Sequence, residues 1–151
     1  MTPEQQLAGF LAKFTPVIEA QTKAILQRMR ALLPGSTELV YDNFNALAIG
    51  FAPGEKTSEA IFSIAVYPRW VSLFFLQGAG LADPAGILKG SGNVVRHIVL
   101  TGAGHLDDPA VRDLMARALA DADRPIDSTA PWRLVIKSVS AKQRPRRPAG
   151  S

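Results

Sequence analysis

The chain has no cysteine. Disulfides, thiolate nucleophiles, Cys-ligated zinc and iron–sulfur clusters are excluded together. A fold that needs no disulfide suits a reducing compartment, so a cytoplasmic location is the expectation. Histidine is almost as scarce, with only two residues, His97 and His105. No GxSxG or HExxH accompanies them, so neither a serine-hydrolase nor a zinc-protease signature is present. Long apolar runs are missing as well. Ile61 to Tyr67 and Trp70 to Leu76 are too short to span a bilayer. Met1 to Phe14 has neither a basic n-region nor a continuous apolar h-region and does not read as a signal peptide. No membrane partner is expected.

What is present is the composition of one ordinary globular domain: 151 residues, 47% hydrophobic and 20% charged. A chain of that length buries enough surface to fold without staples. The net charge of +4 is unevenly spread, because Lys137 to Ser151 holds Lys137, Lys142, Arg144, Arg146 and Arg147 and no acid. Residues 1–136 are left with 12 basic against 13 acidic side chains. The body is close to neutral, and the basic character is an appendage. Beyond Ser140 the sequence AKQRPRRPAGS shows no apolar period. The expectation is a single domain over 1–139 and a disordered basic tail over 140–151. Such a tail solubilises a terminus or associates weakly with nucleic-acid phosphates.

Thr2-Pro3-Glu4-Gln5 opens a helix with a capping box, and Leu7, Phe10, Leu11 and Phe14 follow at helical spacing. Thr15-Pro16 starts a second helix, striped by Ile18, Ile25, Met29 and Leu32 and ended by Pro34-Gly35. The period then falls to two. Strands are expected over Glu38–Asp42, Leu47–Ala52, Ile61–Tyr67, Trp70–Gln77 and Val94–Leu100. Gly78–Asn93 is a glycine-rich loop in which Asp83–Leu88 can form one helical turn. Asp108 and Pro109 suit a helix start, and Val111, Leu114, Met115, Ala118 and Leu119 give its stripe. Trp132 to Lys137 is a last strand. Clustered strands point to the α+β class. The expected fold is an antiparallel sheet of about five or six strands packed by two N-terminal helices and one C-terminal helix.

Three segments carry a resemblance: ELVYDNFNAL (Glu38–Leu47), IAVYPRWVSLFFLQGAGL (Ile64–Leu81) and LKGSGNVVRHIVL (Leu88–Leu100). They resemble the YdhG-like family, a bacterial domain of unknown function. The likeness runs from the second helix to the last strand. It implies a compact α/β sandwich with an antiparallel sheet, similar in outline to frataxin, and implies no particular activity.

The residues themselves offer five candidate sites. Lys89-Gly90-Ser91-Gly92 combines a cation with glycines whose backbone N–H groups can converge on an anion. The segment feeds a strand and not a helix, so it is neither a Walker nor a dinucleotide loop. A tight entry into that strand explains the glycines equally. Arg96 and His97 are strand neighbours and point to opposite faces. An internal salt bridge of Arg96 to Asp42 or Asp83, with a satisfied histidine, is the plainer reading, and ligand contact the other. Tyr67-Pro68-Arg69-Trp70 is an aromatic–cationic group at a strand turn. It can stack a planar ligand or form an ordinary aromatic rim with Arg69 over a ring. Asp107, Asp108, Asp113, Asp121 and Asp123 surround the last helix. A frataxin-like outline makes iron binding conceivable there. Capping by Asp107 and Asp108, and pairing of Asp121 and Asp123 with Arg117 and Arg124, account for them without a metal. The fifth candidate is the basic tail.

The expected function is a binding module for a small anionic ligand, built from Tyr67, Arg69, Trp70, Lys89, Gly90, Ser91, Gly92, Arg96 and His97. Its rivals are a homodimeric interaction protein using the strand that is apolar on both faces, nucleic-acid association through the tail, and frataxin-like iron binding. No cofactor is expected. No titratable pair has catalytic spacing, which makes an enzyme the least supported class.

Overall fold

The computed structural model describes residues 1–150. Helix α1 (Pro3–Leu11) starts with the expected box: Gln5 N donates to Thr2 Oγ1 at 3.1 Å, and Thr2 N donates to Gln5 Oε1 at 2.9 Å. It stops short of Phe14 because Pro16 drives the preceding residue out of the helical region, and Lys13 and Phe14 tighten into a turn. Helix α2 (Pro16–Leu32) follows at this corner.

The strands are β1 (Thr37–Asp42), β2 (Leu47–Ala52), β3 (Phe62–Val66), β4 (Val71–Phe75), β5 (Arg96–Leu100) and β6 (Arg133–Val139), with α3 (Pro109–Asp121) between the last two. They form one sheet in the order β5-β4-β3-β2-β1-β6. The class is α+β, as expected, but the sheet is mixed: β6 runs parallel to β1. Short connections force antiparallel pairing only between strands adjacent in sequence. The route through α3 is long enough to carry the chain to the far edge and lay β6 alongside β1. Asp83–Leu88 does not make a helical turn. Its Asp83 carboxylate instead accepts the N–H groups of Ile87 and Leu88 at 3.1 and 2.9 Å. The side chain of Asp108 makes no capping hydrogen bond to α3.

Register sorts the strand residues onto two faces. Val40, Ile49, Ile64, Leu73 and Ile98 form one row, flanked by Leu47–Val66–Val71–Leu100 and by Phe51–Phe62–Phe75. These residues are buried and share one core with Phe14, Ile25, Met29, Val111 and Leu114 of the helical layer. All three helices therefore pack on this face. The other face carries the rows Leu39–Gly50–Ser63–Phe74–His97 and Tyr41–Ala48–Ala65–Ser72–Val99. The side chains at its centre are small, and Gly50 lies under Ala60 of the β2–β3 connection.

Two carboxylates sit on the core face, at opposite ends of β1, and both are fully buried. Glu38 receives Arg30 Nε at 2.6 Å and Nη2 at 3.0 Å, together with the indole N–H of Trp132. Asp42 is met by Lys13 and by Arg146. The tail expected to be disordered is therefore attached to the domain. Residues 140–150 form no helix or strand, but Arg146 is 5% exposed. A buried carboxylate needs cationic partners, and one of them lies 104 residues away in sequence.

Candidate functional site

The residues singled out from the sequence do not share one cavity. Tyr67-Pro68-Arg69-Trp70 closes the β3–β4 hairpin, with Tyr67 N donating to Trp70 O at 2.9 Å. The glycine-rich loop leaves β4 at the other end, after Phe75, and returns at Arg96. Along β4 the two are five residues apart, about 17 Å. Tyr67 and Trp70 stack on each other with centroids 4.8 Å apart, and Arg69 is exposed and lies over no ring among the described residues.

Lys89, Gly90, Arg96 and His97 do come together. Lys89 and His97 exchange backbone hydrogen bonds of 2.8 and 2.9 Å, which places Lys89 beside β5 at the sheet edge. Gly90 has φ +115, and a Cβ there would sit 3.5 Å from Val95 O and 3.6 Å from Arg96 Cδ. There is room for that Cβ, and it is the left-handed backbone that favours glycine here. Arg96 finds no carboxylate among the described residues. Its guanidinium donates to Gly92 O and to Val95 O, the latter at 2.9 Å. The expected salt bridge to Asp42 or Asp83 is absent because Asp42 stands on β1, four strands away from β5, and Asp83 is occupied by loop amides. Arg96 thus closes the glycine loop on itself. His97 stacks on Phe74 at 5.1 Å. Ser91 and Gly92 are exposed.

A concavity lies beside this loop, on its other side. A cleft of about 740 Å³ is bounded by the β2–β3 connection, the segment around Gly78–Leu81, Asn93–Val94, and the C-terminal end of α3. Its floor is apolar, made by Ile61, Phe75, Leu81, Ala118 and Ala122. Its charged groups are Glu59, Asp121, Asp123 and Arg124. Arg124 Nη1 reaches Glu59 Oε1 at 3.0 Å, whereas Asp121 and Asp123 make no ion pair among the described residues. The expected pairing of these two aspartates fails because Arg117 turns to Asp113, one helical turn away, at 2.8 Å. Both stand at the negative end of the helix dipole, where carboxylates are unfavourable. Composition and spacing had marked them as acids at a helix end. Only the fold shows that they overhang an apolar cleft.

Of the other aspartates around α3, Asp107 and Asp113 are held in ion pairs. Asp107 receives Arg28 and Arg112, and the hydrogen bond from Arg28 holds its carboxyl below the usual value. Among the described residues no three His, Asp or Glu side chains gather as metal ligands. No described helix is long and apolar enough to cross a membrane.

No protein-family model matches this chain, and neither a curated protein nor a solved structure matches it.

Proposed function

We propose that the protein is a small-molecule-binding module whose site is the cleft between the glycine-rich loop and the end of α3, and that its ligand carries a cationic group on an apolar body. The observation that carries this reading is the lining: three carboxylates against one guanidinium, above an apolar floor, in a cleft of about 740 Å³. Glu59 already holds Arg124, so Asp121 and Asp123 are the groups left for the ligand. A primary amine or guanidinium there meets two carboxylates and the free carbonyls of the last helical turn. An anion at Lys89–Gly92 is less well supported, since Arg96 is engaged by loop carbonyls and Lys89 stands on the sheet edge.

Titration with benzylamine, agmatine and inorganic phosphate, followed by amide chemical shifts, tests this. The amines should move Asn93, Val94 and Ala122 to Arg124. The double variant Asp121→Asn/Asp123→Asn should bind them at least tenfold more weakly. Shifts confined to Gly90–Gly92 with phosphate, with the amines silent, would favour the anionic ligand instead.

A second reading rests on a different surface. The sheet face opposite the helices exposes Trp70 at 43% and Val99 at 42% around its small-residue centre, which supports pairing with a second copy. Sedimentation at micromolar concentration should then show a dimer that Val99→Lys dissociates; a wild-type monomer rules this reading out. The α+β architecture is in keeping with the YdhG-like assignment, which remains a proposal. The lack of cysteine supports a cytoplasmic location.

A further inference from the structure

One buried side chain anchors the C-terminal segment. Arg146 Nη2 donates to Asp42 Oδ1 at 2.9 Å and to the carbonyl of Asn43, and Nη1 donates to the carbonyl of Phe44 at 3.5 Å. The Phe14 ring lies 5.8 Å from the guanidinium carbon. Side-chain exposure is 3% for Arg146 and 0% for Asp42. Everything Arg146 meets is an acceptor or an aromatic face. A guanidinium satisfies several convergent acceptors with one planar fork, and an ammonium does not.

The socket belongs to the body of the domain and not to the tail. Asp42 is the last residue of β1, and Lys13 holds its second oxygen at 2.6 Å. The turn is closed by Asn43 N donating to Ala46 O at 3.0 Å. The inserted segment adds further contacts around it, among them Gln143 Oε1, which accepts from Lys13 Nζ at 2.8 Å. Gln143 Nε2 donates to Asp42 O at 3.0 Å, Arg144 N to Phe44 O at 2.8 Å, and Arg147 Nε to Lys13 O at 3.2 Å. Pro145 and Pro148 flank the two arginines and stiffen the segment without helix or strand. Ala141 and Lys142, which join it to β6, are exposed. Arg146 Nε is buried with no partner, so the resident arginine leaves one donor unsatisfied.

We propose that this socket is a guanidinium-recognition site for an arginine-bearing, proline-flanked peptide segment, occupied in this structure by the chain's own Arg146. A tether of a few residues raises the effective concentration of the resident segment into the millimolar range. Modest intrinsic affinity is then enough to keep the site closed, and release of the tail opens it to the same motif on another chain. The tail is therefore a strap, and Arg146 is its latch.

The test uses the full chain. In Arg146→Ala the emptied socket should accept ethylguanidinium, and the melting temperature, lowered by at least 5 °C, should recover by half or more. Ethylammonium at equal ionic strength should recover little. In the variant Arg144→Ala/Arg146→Ala/Arg147→Ala, a labelled peptide of residues 143–151 should bind, and the same peptide carrying Lys for Arg146 should bind at least tenfold more weakly. If Arg146→Ala does not fold, Arg146→Lys should still melt below the wild type, whereas equal melting of the two would show that the socket does not select a guanidinium. Equal rescue by the two cations, equal binding of the two peptides, or an unchanged melting temperature would overturn the proposal.

Discussion

Asp42→Ala is expected to destabilise the domain by about 3–5 kcal/mol, because removing one member of a buried ion pair strands the other. Arg146 would keep only main-chain acceptors and Lys13 would lose its contact at 2.6 Å. Equilibrium denaturation in urea at neutral pH measures the loss. The pH dependence follows from the same carboxylate. Burial pushes the Asp42 carboxyl up, but Lys13, Gln143 and Arg146 together outweigh it and hold the group below its usual 3.8. A carboxylate depressed in the folded state stabilises fully above its unfolded value. That contribution is lost as pH falls through the folded value. The gap between the wild type and Asp42→Ala should therefore be constant from neutral pH down to about pH 5 and shrink below about pH 4. A gap that does not change with acidification would show that folding leaves the Asp42 pKa unshifted, and a gap that widens would show that it is raised.

Phe75→Ala should be comparably severe, at about 3–5 kcal/mol, since it empties a large, fully buried site. Phe75 meets Phe62 edge to face, with centroids 5.5 Å apart and planes at 81°, and that contact is lost too. Phe75 also borders the cleft, so the variant tests stability and site together. Phe75→Leu keeps most of the apolar volume and should cost well under half as much. If Phe75→Leu binds benzylamine as the wild type does, the ring is packing alone. A loss of several-fold in affinity at nearly unchanged stability would place it in the ligand contact. Because Phe75 lies far from Asp42 along the sheet, the two alanine substitutions should add.

Much of the secondary structure could be read locally. Thr2, Pro3 and Gln5 specify a helix start within four residues, and the structure forms the box they imply. Alternation at Leu47, Ile49 and Phe51 put three core residues on one face, and all three are buried. The connection Pro68-Arg69 is so short that only an antiparallel hairpin fits. The site was harder to read. Lys89 and Arg96 were conspicuous as cations near glycines, but a sequence does not record that Arg96 would turn back to loop carbonyls. Asp121 and Asp123 were visible as acids near Arg117 and Arg124. That one arginine prefers Asp113 and the other Glu59 depends on rotamers and neighbours set by the fold.

The sequence by itself determined the α+β class, the strands and helices near their observed limits, and a chain without thiol chemistry. These follow from short-range patterns, in which each residue constrains its neighbours within a turn or a pleat. The tertiary structure decided that β6 lies parallel to β1, that Glu59 joins the end of α3 over one cleft, and that Arg146 is latched to Asp42. Each of these joins residues distant in sequence. Such pairings are selected by the burial of a common core and by the need to neutralise charges enclosed with it, and no local period records them.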